Sequence, residues 1–136
     1  MLQTPKLTRN QELVFQVLSD TDVPLSAYAV LSRLDETGLR APLQVYRALE
    51  KLMTYGLVHR IECLNAFVVC SHAGNDCNGV VAFAICDSCG HVTEFPEIAI
   101  ERRLKRWSRD HSFRPEKLTV EMRGLCDECQ SRDPHP

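Results

Sequence analysis

Two pairs of closely spaced cysteines constrain this chain more than any other feature. Cys86 and Cys89 form one Cys-x-x-Cys pair, and Cys126 and Cys129 form a second. This spacing lets both sulfurs of a pair reach one ion, and four thiolates are a ligand set that Zn²⁺ takes in closed, structural sites. We therefore expect a structural zinc site that ties the start of a domain to its end and contributes on the order of 10 kcal/mol to folding.

Other chemistry is open to these cysteines. They could form two disulfides or be four unrelated buried thiols, or one pair could be the redox centre of a thiol oxidoreductase. Disulfides are rare in the cytoplasm, and a redox enzyme needs only one such pair. A zinc deaminase would need a His-x-Glu motif and a proline directly before a Cys-x-x-Cys pair, and the sequence has neither. We expect that the chain is not an enzyme and has no small-molecule substrate.

Composition narrows the class of protein further. The 136 residues are 44% hydrophobic, which is enough for a core in one or two small domains. No apolar run approaches the roughly 18 residues of a membrane span, and the N-terminal residues lack the features of a secretory signal. We expect a cytoplasmic protein that does not bind a membrane. The net charge of −2 argues against a protein that binds nucleic acid without sequence preference.

The first half of the chain has the pattern of three helices. Thr8 and Gln11 are spaced as a capping box, so the first helix should begin there. Ser26 can cap the second helix, and Pro42 suits the first turn of the third. Gly56 should stop the third helix.

A hairpin should follow these helices. Residues 57–62 and 66–70 are short and rich in β-formers. Three helices and a hairpin, in this order, are typical of a winged helix-turn-helix, whose last helix enters the major groove of DNA.

The third helix has two distinct faces. Its spacing predicts an inward face of Val45, Ala48, Leu49, Leu52 and Met53. On the other face, Arg47 could bond guanine, and Tyr46 could contact phosphate or a thymine methyl group. The alternative is an ordinary solvated face. Residues 1–79 are not net basic, which suits a dimer with two weak half-sites better than a tight monomeric binder.

The second half begins after a stretch with loop composition, residues 71–79. It then shows an apolar run over 80–85, a helix over about 97–111 and an alternating strand over 118–123. The tail 131–136 is polar and should fray. The helix carries Ile100, Leu104 and Trp107 on one face.

Five segments together are similar to a known family. They are Pro42–Leu49, Gly56–Glu62, Phe67–Cys70, Ile85–Phe95 and Gly124–Cys129. The chain resembles the ferric-uptake-regulator superfamily over about residues 8–130. Within it, the chain looks most like the zinc-uptake regulators, because Cys70 is a soft ligand and the His-rich stretch that iron and peroxide regulators carry is missing.

The resemblance implies a fold and a function. The fold class is α+β, with a winged-helix DNA-binding domain over residues 1–71, a hinge loop over 72–79 and a small α/β dimerisation domain over 80–136. The family implies a homodimer that carries one structural and one exchangeable, regulatory zinc ion in each chain. When zinc is plentiful, such a dimer binds double-stranded operator DNA and represses zinc-uptake genes. A regulator of the same fold that senses iron, manganese or peroxide is the alternative.

The resemblance also implies which residues bind the regulatory zinc. His59, Cys70 and Glu94 match ligand positions of similar zinc-uptake regulators. The fourth ligand there is a histidine that this chain lacks, and we expect Cys77 to replace it because a thiolate suits Zn²⁺. His72 is the second choice for this ligand, and His91 is a further alternative.

Two further assignments concern DNA contacts and a third metal site. We expect the DNA contacts to come from Tyr28, Gln44, Tyr46, Arg47 and Lys51. His111 matches a position that binds a further metal ion in some relatives, but a surface or helix-capping role is an equal alternative.

Overall fold

The computed structural model describes residues 6–39, 41–70 and 80–132. They form two compact units, with the break between residues 70 and 80. The predicted hinge loop, residues 72–79, lies outside the described residues, as does the end of the C-terminal tail. Within the described ranges, no helix has the length and apolar character needed to span a membrane.

The first unit contains three helices and a two-stranded antiparallel sheet. Its elements are α1 (Arg9–Ser19), α2 (Ala27–Arg33), a short 3-10 turn (Asp35–Thr37), α3 (Pro42–Thr54), β1 (Val58–Ile61) and β2 (Ala66–Val69). This order confirms the predicted three helices and hairpin. The 3-10 turn was not predicted; it ends at Gly38, whose φ of 89° favours glycine.

Side-chain caps explain where these helices begin. The Thr8 hydroxyl accepts a hydrogen bond from the Gln11 backbone N–H, and the Gln11 side chain accepts one from the Thr8 backbone N–H. The Ser26 hydroxyl caps α2 by accepting from the Ala29 backbone N–H. Pro42 occupies the first turn of α3, where its missing N–H costs nothing. All three starts were predicted from the sequence.

One apolar core holds the first unit together. The interior face of each helix and the hairpin contribute to it, as predicted for α3. Leu25 exchanges two backbone hydrogen bonds with Phe67 of β2, which joins the hairpin to the segment before α2. The most deeply buried members are Val14, Val30, Val45, Leu49, Leu52 and Val58. The core therefore fixes α3 with its opposite face turned to solvent.

The second unit is built around a three-stranded sheet in the order β4-β3-β5. Its elements are β3 (Val81–Cys86), β4 (Val92–Pro96), α4 (Ile98–Asp110), β5 (Val120–Gly124) and α5 (Asp127–Arg132). Strand β3 pairs antiparallel with β4 and parallel with β5. The strand predicted from residue 118 begins at 120 instead, and the short helix α5 was not predicted.

Helix α4 presents its apolar face to solvent in the single chain. Ile100, Leu104 and Trp107 share that face as predicted, yet they are 40%, 39% and 50% exposed. Ser108 is the buried residue of this helix. The periodicity therefore identified a face that the described part of one chain does not cover.

Two leucines of α3 test the assignment of its faces. Leu49 is fully buried, whereas Leu43 is 59% exposed. Leu49→Ala should lower the free energy of unfolding by about 2–5 kcal/mol, because it removes packed methyl groups and leaves a cavity. Leu43→Ala should change it by less than about 0.5 kcal/mol. Urea denaturation of the full chain, followed by the helical circular dichroism signal, measures both. Equal losses for the two variants would contradict the orientation of α3.

Candidate metal centre and nucleic-acid interface

The pairing of β3 with β5 brings the two cysteine pairs together. Cys86 is the last residue of β3 and lies opposite Gly124, the last residue of β5. Cys126 follows two residues later, and α5 then carries Cys129. Gly90, with a φ of 80°, turns the chain after the first pair, and its N–H donates to the Cys86 carbonyl. Parallel strands thus end at one edge of the sheet, where all four sulfurs converge.

The spacing of the four sulfurs fits a tetrahedral zinc ion. All four lie within 4.8 Å of one another, and the Cys89 and Cys126 sulfurs are 3.8 Å apart. Zn–S bonds of about 2.3 Å in a tetrahedron put sulfurs about 3.8 Å apart. Cys86, Cys89, Cys126 and Cys129 can therefore hold a zinc ion with no position left open for a substrate.

Local hydrogen bonds stabilise the thiolate form of one of the four sulfurs. The backbone N–H groups of Cys89 and Cys126 point at the Cys86 sulfur, at 3.5 and 3.4 Å. They lower the pKa of Cys86 to about 6, so this sulfur is largely a thiolate at neutral pH.

The crowding of the sulfurs has the opposite effect on Cys129. The Ser88 hydroxyl favours its thiolate, but the nearby sulfurs of Cys126 and Cys86, together with burial, raise the pKa of Cys129 to about 12. Four thiolates at this separation repel one another, so a bound cation is needed before all of them can ionise.

A salt bridge and a backbone hydrogen bond lie at the same edge of the sheet. The Arg123 Nε donates to the Asp87 carboxylate at 2.9 Å, and the Asp87 backbone N–H donates to the Gly124 carbonyl at 2.8 Å. These contacts join the first cysteine turn to β5.

In the first unit, the hairpin brings two further ligand residues together. His59 lies opposite Val68 in the register of β1 and β2, so Cys70, two residues beyond Val68, is its diagonal neighbour on the same face. A ring nitrogen of His59 and the Cys70 sulfur lie within 4.8 Å. The Cys70 sulfur is disulfide-bonded in this structure, so only its reduced form could bind a metal ion.

The other predicted ligands belong to the second unit or lie outside the described residues. Glu94 lies in β4 opposite Phe83 and is half-buried. His91 is exposed, and its carbonyl accepts from the Cys86 N–H. Cys77 and His72 lie outside the described residues.

His111 serves as the C-cap of α4. Its ring stacks on Trp107 at a centroid distance of 4.3 Å, and its Nδ1 lies 2.9 Å from the Trp107 carbonyl oxygen. A role in capping the helix, one of the two alternatives for this residue, therefore explains its position.

The outward face of α3 carries the predicted DNA contacts. Gln44, Tyr46, Arg47 and Lys51 are all accessible to solvent there, and Tyr28 of α2 is 67% exposed. The Arg47 side chain is exposed, and a guanidinium can donate two hydrogen bonds to the edge of a guanine.

Sequence reasoning missed Leu43 on the same face. Leu43 is 59% exposed, more than Tyr46 at 39%. Its position four residues before Arg47 was the signal that could have identified it.

Comparison with known proteins gives consistent results. A model of the ferric uptake regulator family matches residues 3–123. The zinc uptake regulation protein of Escherichia coli is 34% identical over 125 residues, which cover 91% of this chain and 72% of that protein.

Two solved structures are also similar. The crystal structure of holo XcZur is 35% identical, with a TM-score of 0.85, and the match covers 95% of this chain and 89% of that one. A zinc uptake regulator complexed with zinc and DNA is 32% identical, with a TM-score of 0.88, and the match covers 96% of this chain and 87% of that one.

The four-sulfur site predicts a strong coupling between metal and fold. Cys129→Ser removes one ligand, so the protein should lose its tightly bound zinc and the second unit should unfold, because such ions contribute on the order of 10 kcal/mol to folding. Cys63→Ser, at the exposed thiol of the β1–β2 turn, is the matched control and should retain both. Metal analysis measures the zinc, and the near-ultraviolet circular dichroism of Trp107 reports the fold. A folded Cys129→Ser variant with a full zinc content would argue against the site.

Proposed function

The chain belongs to the ferric uptake regulator family, and from this premise we propose that it is a zinc-responsive transcriptional repressor. In this proposal, a homodimer binds double-stranded operator DNA when a regulatory zinc ion is bound, and it represses zinc-uptake genes. The observation that carries the zinc response is the pairing of His59 with Cys70 on the hairpin. Sulfur together with imidazole is a ligand set that suits Zn²⁺ better than Fe²⁺ or Mn²⁺.

Each part of the chain has a distinct role in this proposal. Residues 1–71 are the winged-helix DNA-binding domain, called the reader below. Residues 72–79 are the hinge, and residues 80–136 are the dimerisation domain with its structural zinc. The reader contacts DNA through Tyr28, Gln44, Tyr46, Arg47 and Lys51. The exposure of these side chains on α2 and α3 supports that assignment.

The regulatory ion is bound by His59, Cys70, Cys77 and Glu94, with His72 and His91 in reserve. His59 and Cys70 come from the reader, whereas Glu94 comes from the dimerisation domain. One ion held by both restricts the orientation of the reader. Zinc favours the DNA-binding conformation only to the extent that it binds that conformation more tightly than the others.

Helix α4 supplies the dimer interface in this proposal. Ile100, Leu104 and Trp107 form an apolar stripe that is exposed in the single chain. An exposed apolar stripe on a small domain marks a surface for protein association. A second copy of the same helix, related by a two-fold axis, can cover it.

Zinc titration tests the sensing role. Chelator-treated wild-type protein, kept reduced so that Cys70 is a thiol, should bind its operator tightly only after zinc exceeds one ion per chain. Cys70→Ser should retain the first zinc and its fold but lose the zinc-dependent gain in DNA affinity, because a hydroxyl is a poor zinc ligand. Cys63→Ser should behave as wild type. DNA affinity that is independent of zinc beyond the first ion would reject zinc sensing but leave DNA binding intact.

The interface is tested by the mass of the particle in solution. Leu104→Gln places a polar group in the apolar stripe and should shift the protein from dimer to monomer at micromolar concentration. Arg106→Gln, on the exposed opposite face of α4, removes a charge but leaves the stripe unchanged and should remain dimeric. Light scattering coupled to size-exclusion chromatography distinguishes these states. A dimeric Leu104→Gln variant would place the interface elsewhere.

A further inference from the structure

Leu43 is an apolar side chain that lies outside the core of the first unit. It occupies the first turn of α3, and it is 59% exposed although Leu49 and Leu52 of the same helix are fully buried. It is also absent from the apolar core of the first unit and from the side chains that pack against that core. Its side chain therefore remains on the surface of this unit, where another molecule can contact it.

Helical geometry puts Leu43 at the centre of the outward face of α3. Tyr46 and Arg47 lie three and four residues later, so all three side chains share one surface. Leu43 belongs to the N-terminal turn, and the N-terminal residues of a recognition helix are the ones that contact base edges. Arg47 offers hydrogen bonds to a base, whereas Leu43 offers none.

We propose that Leu43 contacts the 5-methyl group of a thymine and thereby determines one position of the operator half-site. This inference rests on the proposed DNA-binding function. The thymine methyl is the apolar group that distinguishes base pairs in the major groove, so it is the natural partner of an aliphatic side chain. Cytosine lacks that methyl group, and Leu43 therefore selects T·A over C·G where Arg47 reads a neighbouring pair.

Uracil provides the direct test, because it differs from thymine only in lacking the methyl group. The zinc-loaded, full-length protein first selects its preferred sequence from random duplexes. Each thymine of the selected half-site is then replaced by uracil, one at a time, and affinities are measured for wild type and for Leu43→Ala. At one position, uracil should weaken wild-type binding about fourfold, the loss expected for one buried methyl group.

If Leu43 contacts the methyl group, the effects of the uracil replacement and of Leu43→Ala on affinity should not add at that one position. Leu43→Ala should bind the thymine and uracil duplexes equally there, while the other thymines should behave alike in both proteins. Val23→Ala is the matched control, because Val23 is an apolar residue in the turn before α2 that is 38% exposed. It should retain the wild-type response to uracil.

The outcomes separate this inference from the function on which it rests. If wild type selects a sequence but no uracil effect depends on residue 43, Leu43 is a solvated surface residue and the inference is rejected, although the repressor proposal stands. If wild type selects no sequence with zinc bound, the proposed function fails and the inference fails with it.

Discussion

The convergence of four sulfurs at the ends of β3 and β5 is the contact on which the second unit depends. The strands pair in parallel, so both cysteine turns leave the sheet at the same edge. Backbone N–H groups stabilise one thiolate at Cys86, but the neighbouring sulfurs raise the pKa of Cys129 to about 12. The protein backbone alone therefore cannot stabilise four negative charges there, and a divalent cation can.

The first unit brings its two candidate ligands together in a different way. Its core is apolar and needs no ion, and the hairpin register makes His59 and Cys70 diagonal neighbours. Such a pair is an incomplete zinc site, since zinc takes four ligands. A site that a stable fold holds half-formed is suited to reversible binding, whereas a site with all four ligands in one unit is suited to permanent binding. In the function proposed above, zinc therefore has a structural role at the four sulfurs and a sensing role at His59 and Cys70.

Local chemistry made much of the fold predictable. The caps at Thr8 and Ser26 and the proline at residue 42 determine where helices begin, and each depends on only a few neighbouring residues. The helix α5 was missed because its 6 residues, Asp127–Arg132, are too few for a periodic signal. The face of α4 was recognised, but periodicity does not tell whether the same chain or another covers an apolar stripe.

The candidate sites also differ in how far the sequence alone could predict them. Cysteine spacing predicted the four-sulfur cluster, because the chemistry of Cys-x-x-Cys is local. The neighbourhood of His59 and Cys70 depends on strand register, which a hairpin pattern suggests but does not determine. Leu43 was overlooked because a surface leucine is common in a sequence, although its spacing from Arg47 indicates the outward face of α3; the structure shows that it lies outside the core.

The parallel pairing of β3 with β5 also affects how this protein is made. The first unit is complete in sequence before β3 begins, so it can fold while the rest of the chain is still leaving the ribosome. The second unit must wait, because β5 and Cys129 are among the last described residues. Its early cysteines emerge well before their partners, and during that interval the nascent chain exposes a reduced thiol pair to any metal or oxidant nearby.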